Sequence, residues 1–382
     1  MGFFNSFLSA LGTLLLGLGV WASMIFAGST SVVQRTPVLS QHAATSTTAA
    51  PTTHATSTAN TSVTPPANHG PAPASPPVTT VVPAAPAPAP VAITADLIAD
   101  TNTKTRPSLV NILCSFHTAH TASYISGSGL IIDPRGVVLT NAHVAEYFLL
   151  QNYPSAGSSS CAVRIGNPAT AAYQATLLYL PPAWIASNAS QILSNQPMGT
   201  GERDYAFLYI TGPAQYAPAL PPIFPSLTFS TANPTLNDPV LLAGYPAGFL
   251  DANEVQHSLY ISSAVSSIHD IFTYASPHDI DLVSLGGTAI SQSGSSGGAV
   301  ISLSSGKLVG LISTESEGTT TASRDLNAIT LSYINRNLES DGRGGIAGLL
   351  SGDVSVAAQK FNTDTAPTLT KELTGSIDKQ LK

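Results

Sequence analysis

Short apolar runs separated by polar clusters dominate the chain from about residue 103 to residue 340. The runs are rich in Val, Ile, Leu and Tyr, and Gly, Pro, Asn or Asp residues bound them. Short runs at this spacing, with turn residues between them, are typical of an all-β sandwich or barrel. Helical periodicity is confined to residues 143–152, 332–340 and 368–382. The pattern therefore predicts an all-β domain with a C-terminal helix.

A proline-rich stretch, "GPAQYAPALPPIFPS" at 212–226, interrupts the β pattern near its middle. It is expected to connect two β halves of similar size, the first over about 105–212 and the second over about 226–332. The last segment, 341–382, is polar and too short for a further domain of ordinary size. We expect it to form a partly helical tail.

The N-terminal region has a different pattern. Residues 7–27 are apolar, and the first charged side chain is Arg35. A run of about 20 apolar residues is long enough to span a bilayer as a helix, whereas a signal-peptide core is shorter and follows a basic stretch. The pattern predicts a transmembrane anchor within residues 1–28, with a signal cleaved near 27–30 as the alternative. Residues 29–102 are rich in Thr, Ala, Ser and Pro, so we expect a disordered spacer.

Charge and cysteine content narrow the choice of partner and compartment. Charged residues make up 9% of the chain, the formal net charge is −7, and no run of Lys or Arg exists, which argues against nucleic acid. Arg35 mildly favours a cytoplasmic domain by the positive-inside rule, but residues 36–103 carry almost no charge and would translocate easily. We expect the domain outside the cytoplasm, periplasmic or extracellular, with secretion after cleavage as the alternative.

The two cysteines, Cys114 and Cys161, flank a candidate catalytic histidine. Two cysteines in a large exported domain commonly form one disulfide, and a pair of buried free thiols is the alternative. Two cysteines alone do not make a zinc site. The sequence predicts neither a metal nor a cofactor, and it predicts no oligomeric state.

The candidate chemistry starts from Ser296 in "QSGSSGGAV", because serine becomes a nucleophile only beside a base that a third group orients. His143 is the histidine with a fitting context: the strand in "GLIIDPRGVVLTNAHV" ends just before it and a helical pattern follows. Asp204 heads the apolar strand "DYAFLYI". An acid there is costly to bury without a partner, and an imidazole N–H is a fitting one.

The order of these residues along the chain separates two readings of the Gly-Ser-Ser-Gly-Gly motif. The nucleophile elbow of α/β-hydrolases also has the pattern G-x-S-x-G, but its fold places the histidine after the serine. Here the last histidine is His278, which precedes Ser296. The chain also lacks alternating strands and helices, so the elbow reading is rejected.

Together "TNAHV", "DYAFL" and "GSSGG", in this order, resemble the trypsin-like (chymotrypsin-fold) serine proteases, and most closely the HtrA/Deg branch. "VLLAGYPAGF" (240–249) and "SGKLVGLIS" (305–313) resemble further stretches of that family, and the likeness covers about 105–340. It implies a protease domain over 103–340, built as two six-stranded β-barrels with the catalytic residues between them. Too few residues follow for the PDZ domain that HtrA enzymes commonly carry.

The resemblance also implies a role for each site residue. His143 would be the general base, Asp204 would orient it, and Ser296 would be the nucleophile. The backbone N–H groups of Gly294 and Ser296 would form the oxyanion hole. The substrate pocket would have its floor near Ile290 and its walls near 313–315, which are Ser313, Thr314 and Glu315.

Ser295 stands where digestive trypsins carry the Asp that pairs with a newly cut N-terminus, so we expect no zymogen control of that kind. The expected protein is a membrane-tethered serine endopeptidase that acts on polypeptides, in envelope protein quality control or processing. The alternative is a protease-fold protein that binds peptides, or acts as a chaperone, with little or no turnover.

Overall fold

The computed structural model describes residues 92–117, 122–194, 199–274, 276–315 and 320–382. The predicted anchor at 1–28 and most of the predicted spacer lie outside these ranges. In the part of the chain that is described, no helix is both long enough and apolar enough to cross a membrane. The expectation of a disordered spacer up to residue 102 is wrong at its C-terminal end, where Ala95–Thr105 form helix α1. The Thr94 hydroxyl caps it by accepting from the Leu97 N–H at 3.2 Å.

Six antiparallel strands form a closed barrel in the first half of the predicted β domain, with strand order β1-β2-β3-β6-β5-β4. Its interior is filled by the apolar runs of the sequence, such as Val137–Thr140, in which every residue is buried. One predicted closed barrel is therefore present. The strands are β1 Leu109–His117, β2 Ala122–Asp133, β3 Val137–Thr140, β4 Ser159–Ile165, β5 Thr170–Tyr179 and β6 Ala206–Pro213.

Cys114 and Cys161 lie directly opposite each other on the paired strands β1 and β4. Their sulfur atoms are 1.99 Å apart and form a disulfide. The bridge joins positions separated by 47 residues along the chain.

The second half is a seven-stranded antiparallel sheet of order β8-β7-β11-β12-β13-β10-β9, which corrects the expectation of a second six-stranded closed barrel. The edge strands β8 and β9 follow each other in sequence with only Ile268 and His269 between them. The N–H of Ile268 donates to Asp238 O, and the N–H of His269 donates to Ser284 O. The chain therefore bends between β8 and β9, and this bend takes the place of a hydrogen-bonded ladder between the two strands. The strands are β7 Pro239–Gly244, β8 Ser262–Ser267, β9 Asp270–Phe272, β10 Leu282–Ser284, β11 Ala299–Ser302, β12 Leu308–Glu315 and β13 Leu326–Thr330.

Helices occupy the connections and the C-terminus. The predicted tail is more ordered than expected, because its last two helices bury apolar side chains against the first barrel and its loops. These include Phe361 of the first helix and the stripe Leu369, Leu373 and Ile377 of the second. Besides α1, the helices are α2 Ala142–Ala145, α3 Pro182–Asn188, α4 Ala252–His257, α5 Leu331–Ser340, α6 Gly345–Leu349, α7 Val354–Asp364 and α8 Ala366–Gln380. Three-residue or longer 3₁₀ segments are Arg106–Ser108, Glu146–Leu150 and Ala189–Gln191.

Candidate active site

His143 and Asp204 meet because the strands that carry them are paired. Thr140, the last residue of β3, lies opposite Ala206, the first residue of β6. His143 comes just after β3 and Asp204 just before β6, so both leave the barrel at the same edge. The carboxylate of Asp204 holds the histidine at two points. Oδ1 accepts from the backbone N–H of His143 at 3.0 Å, and Oδ2 lies 2.8 Å from Nδ1.

These contacts define the protonation of the imidazole. A carboxylate accepts hydrogen bonds and donates none, so Nδ1 of His143 carries the proton in this pair. The neutral ring then has its basic lone pair on Nε2. Burial alone would lower the pKa of His143, but the charge and the hydrogen bond of Asp204 outweigh it and raise the pKa above its ordinary value. The ring is thus both oriented and made more basic by its partner.

Asp204 is itself held firmly. Its side chain is almost completely buried, and its Oδ2 also accepts from the Ser313 hydroxyl at 2.7 Å. Its backbone carbonyl accepts from the Asn141 amide at 2.7 Å. A buried carboxylate is tolerated only when its oxygens have donors, and here His143 and Ser313 supply them.

Ser296 lies across from this pair, on the loop before β11. Its side chain is half-buried, and its hydroxyl donates to the carbonyl oxygen of Ser313 at 3.3 Å. Ser313 therefore contacts Asp204 through its side chain and Ser296 through its backbone. The hydroxyl is directed at Ser313 O and makes no hydrogen bond to the ring of His143. Catalytic hydrogen bonds are often loose in a protein without substrate, so this geometry is compatible with a nucleophile at rest.

The loop around Ser296 is shaped by two glycines in the left-handed region of φ. In the part of the chain that is described, no acceptor contacts the N–H of Gly294 or that of Ser296. Gly294 has φ +90°, and a Cβ there would lie 2.7 Å from Tyr245 O, so only glycine fits. Gly297 has φ +84°, and a Cβ there would overlap Ser128 O.

The predicted pocket residues lie in different surroundings. Ser313 is buried and bonded to Asp204, a contact that its assignment as a pocket wall did not anticipate. Ile290 is wholly buried in the apolar cluster of the second sheet. Thr314 and Glu315 belong to strand β12, and their side chains lie outside the described part of the structure. The pocket assignment of these residues stays a prediction.

Sequence reasoning missed three side chains that surround the site. Glu146 follows His143 by three residues, is buried, and accepts from the indole N–H of Trp184 at 3.1 Å. Trp184 belongs to helix α3, in the segment between His143 and Asp204. Ser128 contacts the loop of Ser296 from the first barrel. The i, i+3 spacing could have indicated Glu146, but no short pattern indicates the other two.

Comparisons with known proteins identify the type of domain. Residues 127–311 match the family model of the trypsin-like peptidase domain. A solved structure similar to this chain is the active form of the Rv3671c protease from M. tuberculosis, with 20% identity over 68% of this chain and 93% of that chain, at a TM-score of 0.40. None of the curated proteins matches the chain in sequence. The chain thus carries a match to the trypsin-like peptidase domain at 127–311, which supports a serine endopeptidase.

Proposed function

We propose that His143, Asp204 and Ser296 form the catalytic triad and hydrolyse peptide bonds through an acyl-enzyme. The observation that carries this proposal is the double attachment of Asp204 to His143, at the backbone N–H (3.0 Å) and at Nδ1 (2.8 Å). Because Nδ1 is occupied, Nε2 is the nitrogen that can accept a proton from Ser296. Asp204 fixes this tautomer and stabilises the imidazolium that forms.

The reaction then follows from these roles. The Ser296 hydroxyl leaves Ser313 O and turns toward Nε2, which takes its proton as Oγ attacks the carbonyl carbon of the substrate. The imidazolium returns that proton to the leaving amine, and an ester to Ser296 remains. A water molecule, deprotonated by His143, hydrolyses the ester.

The negative oxygen of the tetrahedral intermediate would bind to the free N–H groups of Gly294 and Ser296. Donors of this kind that are fixed in advance stabilise the charge without reorganisation, and loss of one typically slows turnover by about 10²–10³-fold. Polypeptides are the expected substrates, and no step draws on a metal or a cofactor.

Labelling with a fluorophosphonate probe tests the triad. The wild-type chain should label, whereas Ser296→Ala should not. Ser295→Ala is the matched control, because this adjacent serine is buried and its hydroxyl has no partner, so the variant should label like the wild type. His143→Ala should lower kcat by about 10⁴-fold or more.

Two results would contradict the proposal. Labelling of Ser296→Ala at the wild-type rate would remove Ser296 as the nucleophile, and full hydrolysis by His143→Ala would remove the base. A wild-type chain that binds peptides but is never labelled would instead support the peptide-binding or chaperone-like alternative.

We further propose that residues 7–27 tether the protease domain to a membrane, outside the cytoplasm, in envelope protein quality control or processing. The support is the apolar run at 7–27 and the almost uncharged segment that follows. The full chain should stay in the membrane pellet after an alkaline wash, and a chain without residues 1–28 should not. A C-terminal epitope should be digested by protease added to spheroplasts, whose cytoplasmic membrane is intact. An epitope protected until lysis would contradict this orientation.

A further inference from the structure

Ser128 is a buried serine of strand β2 whose hydroxyl reaches out of the first barrel. Its side chain has no exposed surface. The hydroxyl donates to Gly294 O at 2.7 Å and accepts from the Tyr245 N–H at 2.8 Å. A peptide N–H only donates and a carbonyl only accepts, so the direction of the hydroxyl proton is fixed. Ser128 therefore binds two backbone groups of the second half at once.

One of these groups belongs to the loop that carries the nucleophile. The carbonyls of the four consecutive residues 293–296 all point toward a donor, and Ser128 supplies two of the four donors. In chain order, the contacts are Ala247 N–H to Ser293 O (2.7 Å), Ser128 Oγ to Gly294 O (2.7 Å), Gly298 N–H to Ser295 O (2.9 Å) and Ser128 N–H to Ser296 O (2.7 Å).

The direction of each carbonyl determines where the N–H of the same peptide unit points. The peptide group is planar and trans, so its C=O and N–H point in opposite directions. Anchoring Ser293 O turns the Gly294 N–H the other way, and anchoring Ser295 O does the same for the Ser296 N–H. The peptide that links Gly294 to Ser295, whose oxygen is Gly294 O, lies between these two N–H groups along the chain.

Gly294 is also the point at which this loop can change conformation. Glycine has no Cβ and populates many backbone conformations, so a free peptide beside it could rotate. The Ser128 hydroxyl holds the oxygen of this peptide at 2.7 Å, and Gln292 O accepts from its N–H, that of Ser295, at 3.2 Å. Ser128 supplies the side chain that opposes this rotation. Close packing supports the contact, because a Cβ at Gly244 would lie 3.0 Å from Ser128 Oγ.

We propose that Ser128 is a positioning residue that holds the Gly294 and Ser296 N–H groups in the arrangement that binds the oxyanion. The inference rests on the proposed function and adds a side chain of the first barrel to the oxyanion site. Ser128 has no contact with the reacting atoms and acts through the peptide of Gly294.

The test compares Ser128→Ala with Ser159→Ala. Ser159 is a matched control, because it is also buried and its hydroxyl also donates to a backbone carbonyl, Leu150 O at 2.7 Å, away from the loop. Ser128→Ala loses two buried hydrogen bonds and Ser159→Ala loses one, so both variants should unfold at a lower urea concentration than the wild type. The rates are measured under conditions in which both variants are fully folded. Ser128→Ala should then lose about 10–100-fold in kcat and in the rate of fluorophosphonate labelling, with little change in KM. Ser159→Ala should keep both rates.

The pH dependence of turnover separates this role from damage to the triad. Ser128→Ala should keep the wild-type pH profile, since His143 and Asp204 are not touched. Ser128→Cys, which keeps the shape but offers only a weak S–H donor, replaces the alanine variant if that one does not fold, with the same expected losses. Wild-type labelling rates in the folded Ser128 variant would overturn the inference, even if its stability falls. That result leaves the proposed function intact as long as Ser296→Ala is unlabelled, whereas labelling of Ser296→Ala would refute the proposed function itself.

Discussion

At the scale of single residues, Glu146 is the least expected group near the site. It is 5% exposed, lies one turn after His143, and receives the indole N–H of Trp184. Burial raises the pKa of Glu146 to about 8, although the Trp184 bond and His143 oppose the rise, while Asp204 adds to it. Near neutral pH the group is thus mostly a neutral acid.

This raised pKa predicts how stability depends on pH. The folded protein keeps the Glu146 proton up to about pH 8, whereas the unfolded chain releases it near its ordinary pKa of 4.5. Between these two pH values unfolding therefore releases a proton. The contribution of Glu146 to the free energy of unfolding is complete below pH 4.5 and is lost as the pH rises through 8. We expect Glu146→Gln to remove this loss, which amounts to a few kcal/mol, on the order of 1.4 kcal/mol per unit of pKa shift.

Urea unfolding at pH 5, 7 and 9 measures the effect. The gain of Glu146→Gln over the wild type should grow from pH 5 to pH 9. Glu372→Gln, which changes an exposed carboxyl on the last helix, should follow the wild type at all three values. If the free energies of unfolding of Glu146→Gln and of the wild type changed in parallel with pH, the proposal that Glu146 is a neutral buried acid would be contradicted.

At the scale of elements, local pattern was enough for strands but not for the whole fold. Runs such as "GVVLTN" and "CAVRIG" become β3 and β4, and the helical pattern at 332–340 becomes α5. The two C-terminal helices were expected only as a partly helical tail, because an amphipathic stripe gains its stability from the surface it covers. That surface is the first barrel, which the tail's own sequence does not reveal. The bent strand pair β8 and β9 likewise depends on bonds to neighbours distant in sequence.

The same limit applies to the site. His143, Asp204 and Ser296 lie in short motifs with a fixed order, so the sequence alone could predict them. The side chains of Ser128 and Ser313 contact partners 166 and 109 residues away. A serine is common, and nothing in its flanking residues records a contact at that distance. Such residues become visible only once both halves are folded.

At the scale of the whole molecule, the two β halves are joined by polar contacts as well as by packing. Beside Ser128, one residue that makes several of these contacts is Arg164 of β4, which is 2% exposed. Its guanidinium donates to Val255 O at 2.9 Å and to Gln256 O at 2.8 Å, both in the last turn of α4. It also donates to Ala169 O at 2.6 Å and to Asn111 Oδ1 at 3.1 Å. The last carbonyls of a helix lack partners within it, and a cation is favourable at that end.

Arg164→Met is therefore expected to destabilise both halves together. The variant fills a similar volume but leaves four oxygens without this donor, three of them in buried contacts and Gln256 O in a partly buried one. Each buried unsatisfied group costs about 1–3 kcal/mol before relaxation or entry of water. We expect a net loss of at least about 3 kcal/mol in the free energy of unfolding, measured by urea denaturation, and faster amide exchange in α4. Lys104→Met, at an exposed pair with Asp100, is the control and should have little measurable effect. If the two variants were equally stable, the strands and apolar packing alone would hold the halves together, and Arg164 would have no part in joining them.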